Sequence, residues 1–131
     1  MSVNSTGVPK VAAIHDLSGY GRASLTVVIP VLSTMGIQVC PLPTAVLSTH
    51  TGGFTDYHYV DLTEHMEHII SHWRSLGLTF SAIYSGFLGS SYQIDIVREF
   101  IQSSKNEGQY VVIDPVMGDN GKPYGPIGTE L

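Results

Sequence analysis

Residues 10–36 read KVAAIHDLSGYGRASLTVVIPVLSTMG, and the change of period inside this stretch sets the fold. Val11-Ala12-Ala13-Ile14-His15 is a short apolar run ended by Asp16 and two glycines, the pattern of a buried strand. From Arg22 to Met35 the apolar residues Ala23, Leu25, Val27, Val28, Ile29, Val31, Leu32 and Met35 cover most faces of a helix. Pro30 should kink that helix, because proline brings no backbone donor. Gly36 closes it as a C-terminal cap would. Strand, glycine turn and helix open an alternating α/β pattern.

The alternation continues outward from there. Gln38 to Leu47 reads as a second strand, and Pro41 and Pro43 give it irregular or edge character. Ser48 to Phe54 is a Ser/Thr/Gly loop. Leu62 to Leu76 is an amphipathic helix, with Leu62, Met66, Ile69, Ile70, Trp73 and Leu76 at helical spacing. Asp61 or Thr63 can cap its start. Ala82 to Ser85 is a third strand. Ile94, Val97, Phe100 and Ile101 mark a third helix over Ser91 to Asn106. Tyr110 to Ile113 is a fourth strand, ended by Asp114-Pro115. Gly118 to Leu131 is rich in glycine and proline and has no periodicity.

This order predicts a three-layer α/β/α sandwich with a mostly parallel sheet and helices on both faces. Such sheets place their sites at the carboxyl ends of the strands. Three loops fall there: Asp16 to Gly21, Ser48 to Phe54 and Asp114 to Asp119. A sheet stopped after four strands would leave an unpaired edge and bare helix faces. The expectation is a domain portion over residues 10–131, incomplete at the C-terminus or in need of a partner chain, behind a flexible N-terminus over residues 1–9.

Composition narrows the function. The chain has 131 residues, 43% of them hydrophobic and 13% charged, which suits a packed core and not a disordered segment. Six Lys+Arg stand against eleven Asp+Glu, a formal net charge of -5. Without a basic patch there is no footprint for nucleic acid, and an acidic surface disfavours anionic membranes. No apolar run approaches the ~20 residues of a membrane span. Met1 to Pro9 lacks the apolar core of a signal peptide. The single cysteine, Cys40, cannot form an internal disulfide, so a reducing, cytoplasmic setting is expected. Inside an apolar run, Cys40 reads as a small buried hydrophobe.

Several motifs carry chemistry in principle. Gly19-Tyr20-Gly21 follows a strand and opens a helix, but Ser24 stands where the dinucleotide fingerprint needs a third Gly or Ala. No Asp or Glu lies between Asp16 and Asp56 to hold a ribose. The turn instead can admit a small substrate, with Asp16 accepting a hydrogen bond from it. Thr49-His50-Thr51-Gly52-Gly53 offers hydroxyls, an imidazole and pliable backbone at another strand end. Asp114 and Asp119 bracket a Pro/Gly turn, a carboxylate pair able to hold Mg²⁺ near phosphates or simply to form the turn. His65, His68 and His72 share a helical stripe, which more simply is a solvated face than a metal site. No phosphate-binding G-x-x-x-x-G-K-[ST] stretch and no assignable Ser/His/Asp triad occur.

Taken together, four of these segments resemble the pyridoxal and pyridoxamine kinases of the ribokinase superfamily. They are Ala13 to Leu25, Ser48 to Phe54, Ser85-Gly86-Phe87-Leu88-Gly89-Ser90 and Asp114-Pro115-Val116-Met117-Gly118-Asp119, in that order. The resemblance covers nearly the whole chain from Lys10 onward. It implies a ribokinase-like fold and transfer of the γ-phosphoryl of ATP, with Mg²⁺, to the 5′-hydroxyl of pyridoxal, pyridoxine or pyridoxamine. It places Asp16, Ser18, Thr51, Gly52 and Phe87 on the substrate, and Asp114, Asp119 and Tyr124 on the nucleotide, with Asp114 and Asp119 also on the metal. Many relatives have Ser where Asp16 stands, and Asp there matches the hydroxymethylpyrimidine kinases of thiamine synthesis. That substrate is the alternative. Phe87 replaces a Tyr of several relatives, so ring packing remains without a phenolic hydrogen bond. In this family the catalytic Asp opens a helix in a Gly-rich motif further downstream, and none of these residues matches it. The resemblance therefore implies a chain inactive by itself, either a kinase portion or a non-catalytic half-protein. It is also compatible with a homodimer.

Overall fold

The computed structural model describes residues 7–124. Its elements run β1 (Lys10–Tyr20), α1 (Leu25–Thr34), β2 (Gln38–Thr49), β3 (Tyr59–Asp61), α2 (Thr63–Ser75), β4 (Ala82–Ser85), α3 (Ser91–Ser103), β5 (Tyr110–Ile113), β6 (Gly118–Asp119) and β7 (Lys122–Pro123). Five strands form one sheet in the order β3-β2-β1-β4-β5. β2, β1, β4 and β5 pair in parallel, and β3 joins β2 antiparallel. β6 and β7 form a separate small hairpin.

The central position of β1 follows from its sequence. Ala12, Ala13 and Ile14 are fully buried, as a parallel strand covered on both faces requires. Ala12 and Ile14 of β1 face α2 and α3. There Ala12, Ile14, Leu42 and Ile83 pack with Met66, Ile70, Phe80, Ile96, Val97 and Phe100. Phe80 joins this layer edge-on to Phe100, ring centres 5.9 Å apart, and Trp73 leans on Phe80 at 5.3 Å. Burying a phenylalanine such as Phe100 contributes about 2–3 kcal/mol. On the opposite face α1 lies over β1 and β2, and Val27, Val28, Val31 and Leu32 line a groove with Val11, Ala82, Tyr84 and Val112. The layers are therefore helix, sheet, helix.

The structure departs from the sequence expectations in several places, among them the start of α1 at Leu25 and the end of α3 at Ser103. β1 does not end at His15 but runs to Tyr20, because β2 continues to pair with it past Asp16. The Gly19 turn is thus strand, and the chain reverses at Gly21, whose φ of 104° favours glycine. β2 likewise reaches Thr49, taking the first two residues of the expected loop. It is an interior strand despite its prolines, but β3 pairs only with Ala45 to Leu47, so Pro41 and Pro43 sit where one side of β2 has no partner. Neither β3 nor the β6–β7 hairpin was expected. The N-cap of α2 is Leu62, with no side-chain cap bond. Asp61 serves nearby, its carboxylate accepting from Thr63 N–H at 3.0 Å and from Thr63 Oγ1 at 2.6 Å.

No helix among the described residues is long and apolar enough to cross a membrane. Cys40 is half-buried against the core, and burial pushes its thiol up. His65, His68 and His72 all lie exposed on α2, and His68 stands 4.0 Å from Glu64.

Candidate active site

Three strand ends converge on one cavity of about 320 Å³. β1 supplies His15 and Asp16. The turn before α1 supplies Ala23 and Ser24. β2 and its loop supply Leu47, His50, Thr51 and Gly52. The segment after β4 supplies Phe87. Val116, Asp119 and Tyr124 come from the tail and its hairpin. This is the carboxyl end of the parallel strands, where such sheets bind ligands.

Asp16 is the centre of the floor. The pairing of β1 with β2 slips between His15 and Leu17, where the matching positions on β2 advance from Pro43 to Val46. That is one extra residue on β2, a bulge of the kind that re-aims side chains near sites. Asp16 and Ser18, two apart, share a strand face, and Ser18 Oγ donates to Asp16 Oδ2 at 3.0 Å. Ser24 Oγ donates to Oδ1 at 2.6 Å. His15 Nδ1 lies 2.8 Å from the same oxygen. Burial alone would push the Asp16 carboxyl up. The hydrogen bonds from His15 and Ser24, the charge of His15 and the Ser18 hydroxyl outweigh it, so the carboxyl sits below the ordinary aspartate value. The group is ionised at neutral pH although only 6% exposed.

His15 Nδ1 also faces the amides of Asp16 at 3.0 Å and Phe87 at 3.3 Å. One ring nitrogen offers either a proton or a lone pair, so these contacts and the carboxylate contact are alternatives. Ser24 adopts φ 58°, in the left-handed region, and gives α1 no side-chain cap. Its hydroxyl serves Asp16 instead, at a strain of about 1 kcal/mol.

Two glycines make room for the imidazoles. A Cβ on Gly86 would collide with the His15 ring, and one on Gly21 would collide with that of His50. His50 stands edge-on to Phe54, ring centres 5.0 Å apart, and Tyr20 covers Phe54 from the other side at 5.8 Å. The Gly52 amide donates to His50 Nδ1 at 3.2 Å, which shapes the Thr51–Gly52 turn at the cavity rim.

Of the residues singled out from the sequence, Asp16, Thr51, Gly52, Phe87, Asp119 and Tyr124 line this one cavity. Ser18 does not. It is 1% exposed and stands behind the carboxylate, bound to it. Asp114 lines a neighbouring apolar groove with Ser85, Leu88, Ile113 and Met117, and Val116 borders both spaces. The His50 imidazole, read in the Thr49–Gly53 loop, lines the cavity too, and His15, Ser24 and Leu47 line it without having been read as site residues. The clue to His15 was the glycine its ring rests on, and that pairing shows only in three dimensions.

The donor set suits a small ring bearing donors at the floor, with carboxylates toward the tail. No lysine or arginine is among the lining residues. Asp119 in this cavity and Asp114 in the adjoining groove carry oxygen ligands of the hard type that Mg²⁺ takes, but among the described residues no group of three or more His, Cys, Asp or Glu side chains is gathered as a metal cluster.

No protein-family model matches the chain. It is 55% identical to a structure from Bacteroides thetaiotaomicron assigned as a phosphomethylpyrimidine kinase and crystallised with pyridoxal. The TM-score is 0.89, covering 92% of this chain and 42% of that one. It is 32% identical to the pyridoxal kinase of Lactobacillus plantarum, with a TM-score of 0.81 over 94% of this chain and 43% of that one. The pyridoxal kinase of Arabidopsis thaliana is 32% identical over 115 residues, 86% of this chain and 37% of that protein. The chain thus spans about two fifths of the length of these relatives.

Proposed function

Since the chain is, over the part of those relatives that it spans, a pyridoxal kinase-type sequence of the ribokinase superfamily, we propose that its cavity binds the ring of a B6 vitamer for phosphorylation of the 5′-hydroxyl. The observation that carries this reading is the ionised, buried Asp16 at the floor of a cavity walled by Phe87 and Leu47. Its Oδ2 accepts one hydrogen bond, from Ser18, and keeps capacity for a donor on the ring. Phe87 and Leu47 supply apolar walls, and Thr51 and Gly52 supply polar contacts at the rim. Ser18 acts by holding Asp16, without touching the ring.

Asp114 and Asp119 would hold Mg²⁺, and Tyr124 would lie against the nucleotide. When bound, Mg·ATP supplies the phosphoryl group. The residues of this chain bind and orient the acceptor alcohol, which is the part of phosphoryl transfer that rests on positioning. The resemblance puts the family's catalytic Asp in a Gly-rich motif that none of these residues matches. We therefore expect the chain by itself to bind the vitamer without robust turnover.

The Bacteroides relative favours a second reading, a hydroxymethylpyrimidine as acceptor. Asp16 could receive the amino group of that ring as readily as a pyridine donor. Calorimetric titration of the chain with pyridoxal and with hydroxymethylpyrimidine separates the two. Tighter binding of pyridoxal, abolished by Asp16→Asn, is the expected result. Preference for the pyrimidine would overturn the vitamer assignment, and binding of neither would overturn both. Robust phosphorylation of pyridoxal by the chain with Mg·ATP alone would overturn the expected lack of turnover.

A further inference from the structure

The wall residue Phe87 sits in the short segment Gly86–Gly89 between β4 and α3, and a buried polar lattice outside the cavity grips that segment. Gln93, in the first turns of α3, is fully buried. Its Oε1 accepts from the Gly89 amide at 2.8 Å. Its Nε2 donates to Thr44 O at 3.0 Å and Thr63 Oγ1 at 3.0 Å, with Asp61 Oδ1 at 3.3 Å. Thr44, also fully buried, donates its hydroxyl to Phe87 O at 3.1 Å. One amide and one hydroxyl thus fasten both sides of the Phe87 segment to β2 and to the start of α2. Neither Gln93 nor Thr44 lines the cavity.

A buried amide is tolerated only when its groups are bonded. An apolar side chain at 93 would leave the Gly89 amide without its acceptor, and the segment would move to find another. Phe87 would move with it. We propose that Gln93 and Thr44 are positioning residues that set the Phe87 wall against the bound ring. This rests on the cavity being the ring-binding site and deepens that reading. Gly89 shows how closely the segment is set: a Cβ there would lie 2.5 Å from the Tyr59 hydroxyl and 3.7 Å from Gln93 Oε1.

The test compares Gln93→Leu, Thr44→Val and Thr44→Ser with the parent chain. Ile70→Ala is included as a variant that loosens the core on α2, away from the segment. Each is titrated with pyridoxal, and the amide shifts of Phe87 and Gly89 are followed by ¹H–¹⁵N NMR. Gln93→Leu and Thr44→Val should weaken pyridoxal about tenfold, the ratio that about 1.4 kcal/mol gives, and move those two amides. Thr44→Ser, which keeps the hydroxyl, should bind as the parent does, and so should Ile70→Ala despite its lower stability. Parent-like affinity in Thr44→Val, or an equal loss in Ile70→Ala, would overturn the proposal. If Gln93→Leu does not fold, the Thr44 pair decides. Should the parent itself fail to bind pyridoxal, the ring-site reading fails, and unmoved amides in the variants would then dismiss the positioning role separately.

Discussion

Gly86→Ala puts one methyl group against the ring that supports Asp16. The added Cβ would stand 2.7 Å from His15 Cγ and closer still to the ring's Cδ2 and Nε2. Carbon atoms in contact lie about 3.5–4.0 Å apart, so clearing the nearest ring atom requires the ring to retreat by about 1.5–2 Å. His15 is only 7% exposed and has little space to enter. Overpacking of this kind costs about 1–3 kcal/mol. The retreat also stretches the 2.8 Å contact with Asp16, and a hydrogen bond to a charged group is worth about 1.5–3 kcal/mol. The two effects overlap, so we expect a loss of about 2–4 kcal/mol. The φ of Gly86 is not positive, so alanine is free of backbone strain there and would gain about 0.4–1 kcal/mol through the unfolded state. Any net loss therefore reports the collision. The assay is urea unfolding of four proteins: parent, Gly86→Ala, His15→Ala and the double variant. With the ring gone, Gly86→Ala should stabilise by up to about 1 kcal/mol, giving a coupling of at least about 2 kcal/mol. If Gly86→Ala is as damaging in the His15→Ala background as in the parent, the ring is not the obstacle and the arrangement of the floor is wrong.

Asp16 makes the chain acid-sensitive. Its folded value lies below the ordinary 3.8, so its contribution is complete above that pH and is lost as the pH falls through the lower folded value. Acid titration of unfolding should show this loss in the parent and not in Asp16→Asn. Ser24→Ala removes the 2.6 Å bond to Asp16 and should raise the Asp16 carboxyl, seen as a shift of the acid limb to higher pH. Gly21→Ala meets both a φ of 104° and the His50 ring. It should destabilise by about 2 kcal/mol or more and weaken pyridoxal, as read by thermal unfolding and calorimetry. Phe87→Ala should weaken pyridoxal more than Tyr124→Ala, since Phe87 is buried in the wall and Tyr124 is only half-buried.

Much of the architecture could be read from the chain alone. Ala82 to Ser85 and Tyr110 to Ile113 appear as strands with the expected bounds, because each is a short apolar run between polar breaks. The carboxyl ends of β1 and β2 were harder. Asp16 and Ser18 look like the end of a strand in sequence, but they are satisfied by each other and by Ser24 while the backbone keeps pairing with β2. β3 has only three residues and its pairing partner is Ala45 to Leu47, which no local pattern reveals. Gln93 reads as a polar position of an amphipathic helix, yet it is buried because acceptors and donors from β2, α2 and Gly89 converge on it. Motif order brought Asp16, Thr51, Phe87 and Asp119 to one cavity. The separation of Asp114 into the adjoining groove depends on how the tail turns after β5.

β5 bears on how this protein will behave at the bench. Tyr110, Val111, Val112 and Ile113 are each at least 43% exposed, and among the described residues only β4 pairs with the strand. A parallel strand that is apolar on both sides normally has cover above and below, and an open edge recruits other strands. Concentrated stocks should therefore cloud and elute early on gel filtration, and mild detergent should hold them clear. Dilute samples are the ones in which ligand titrations will report on single molecules.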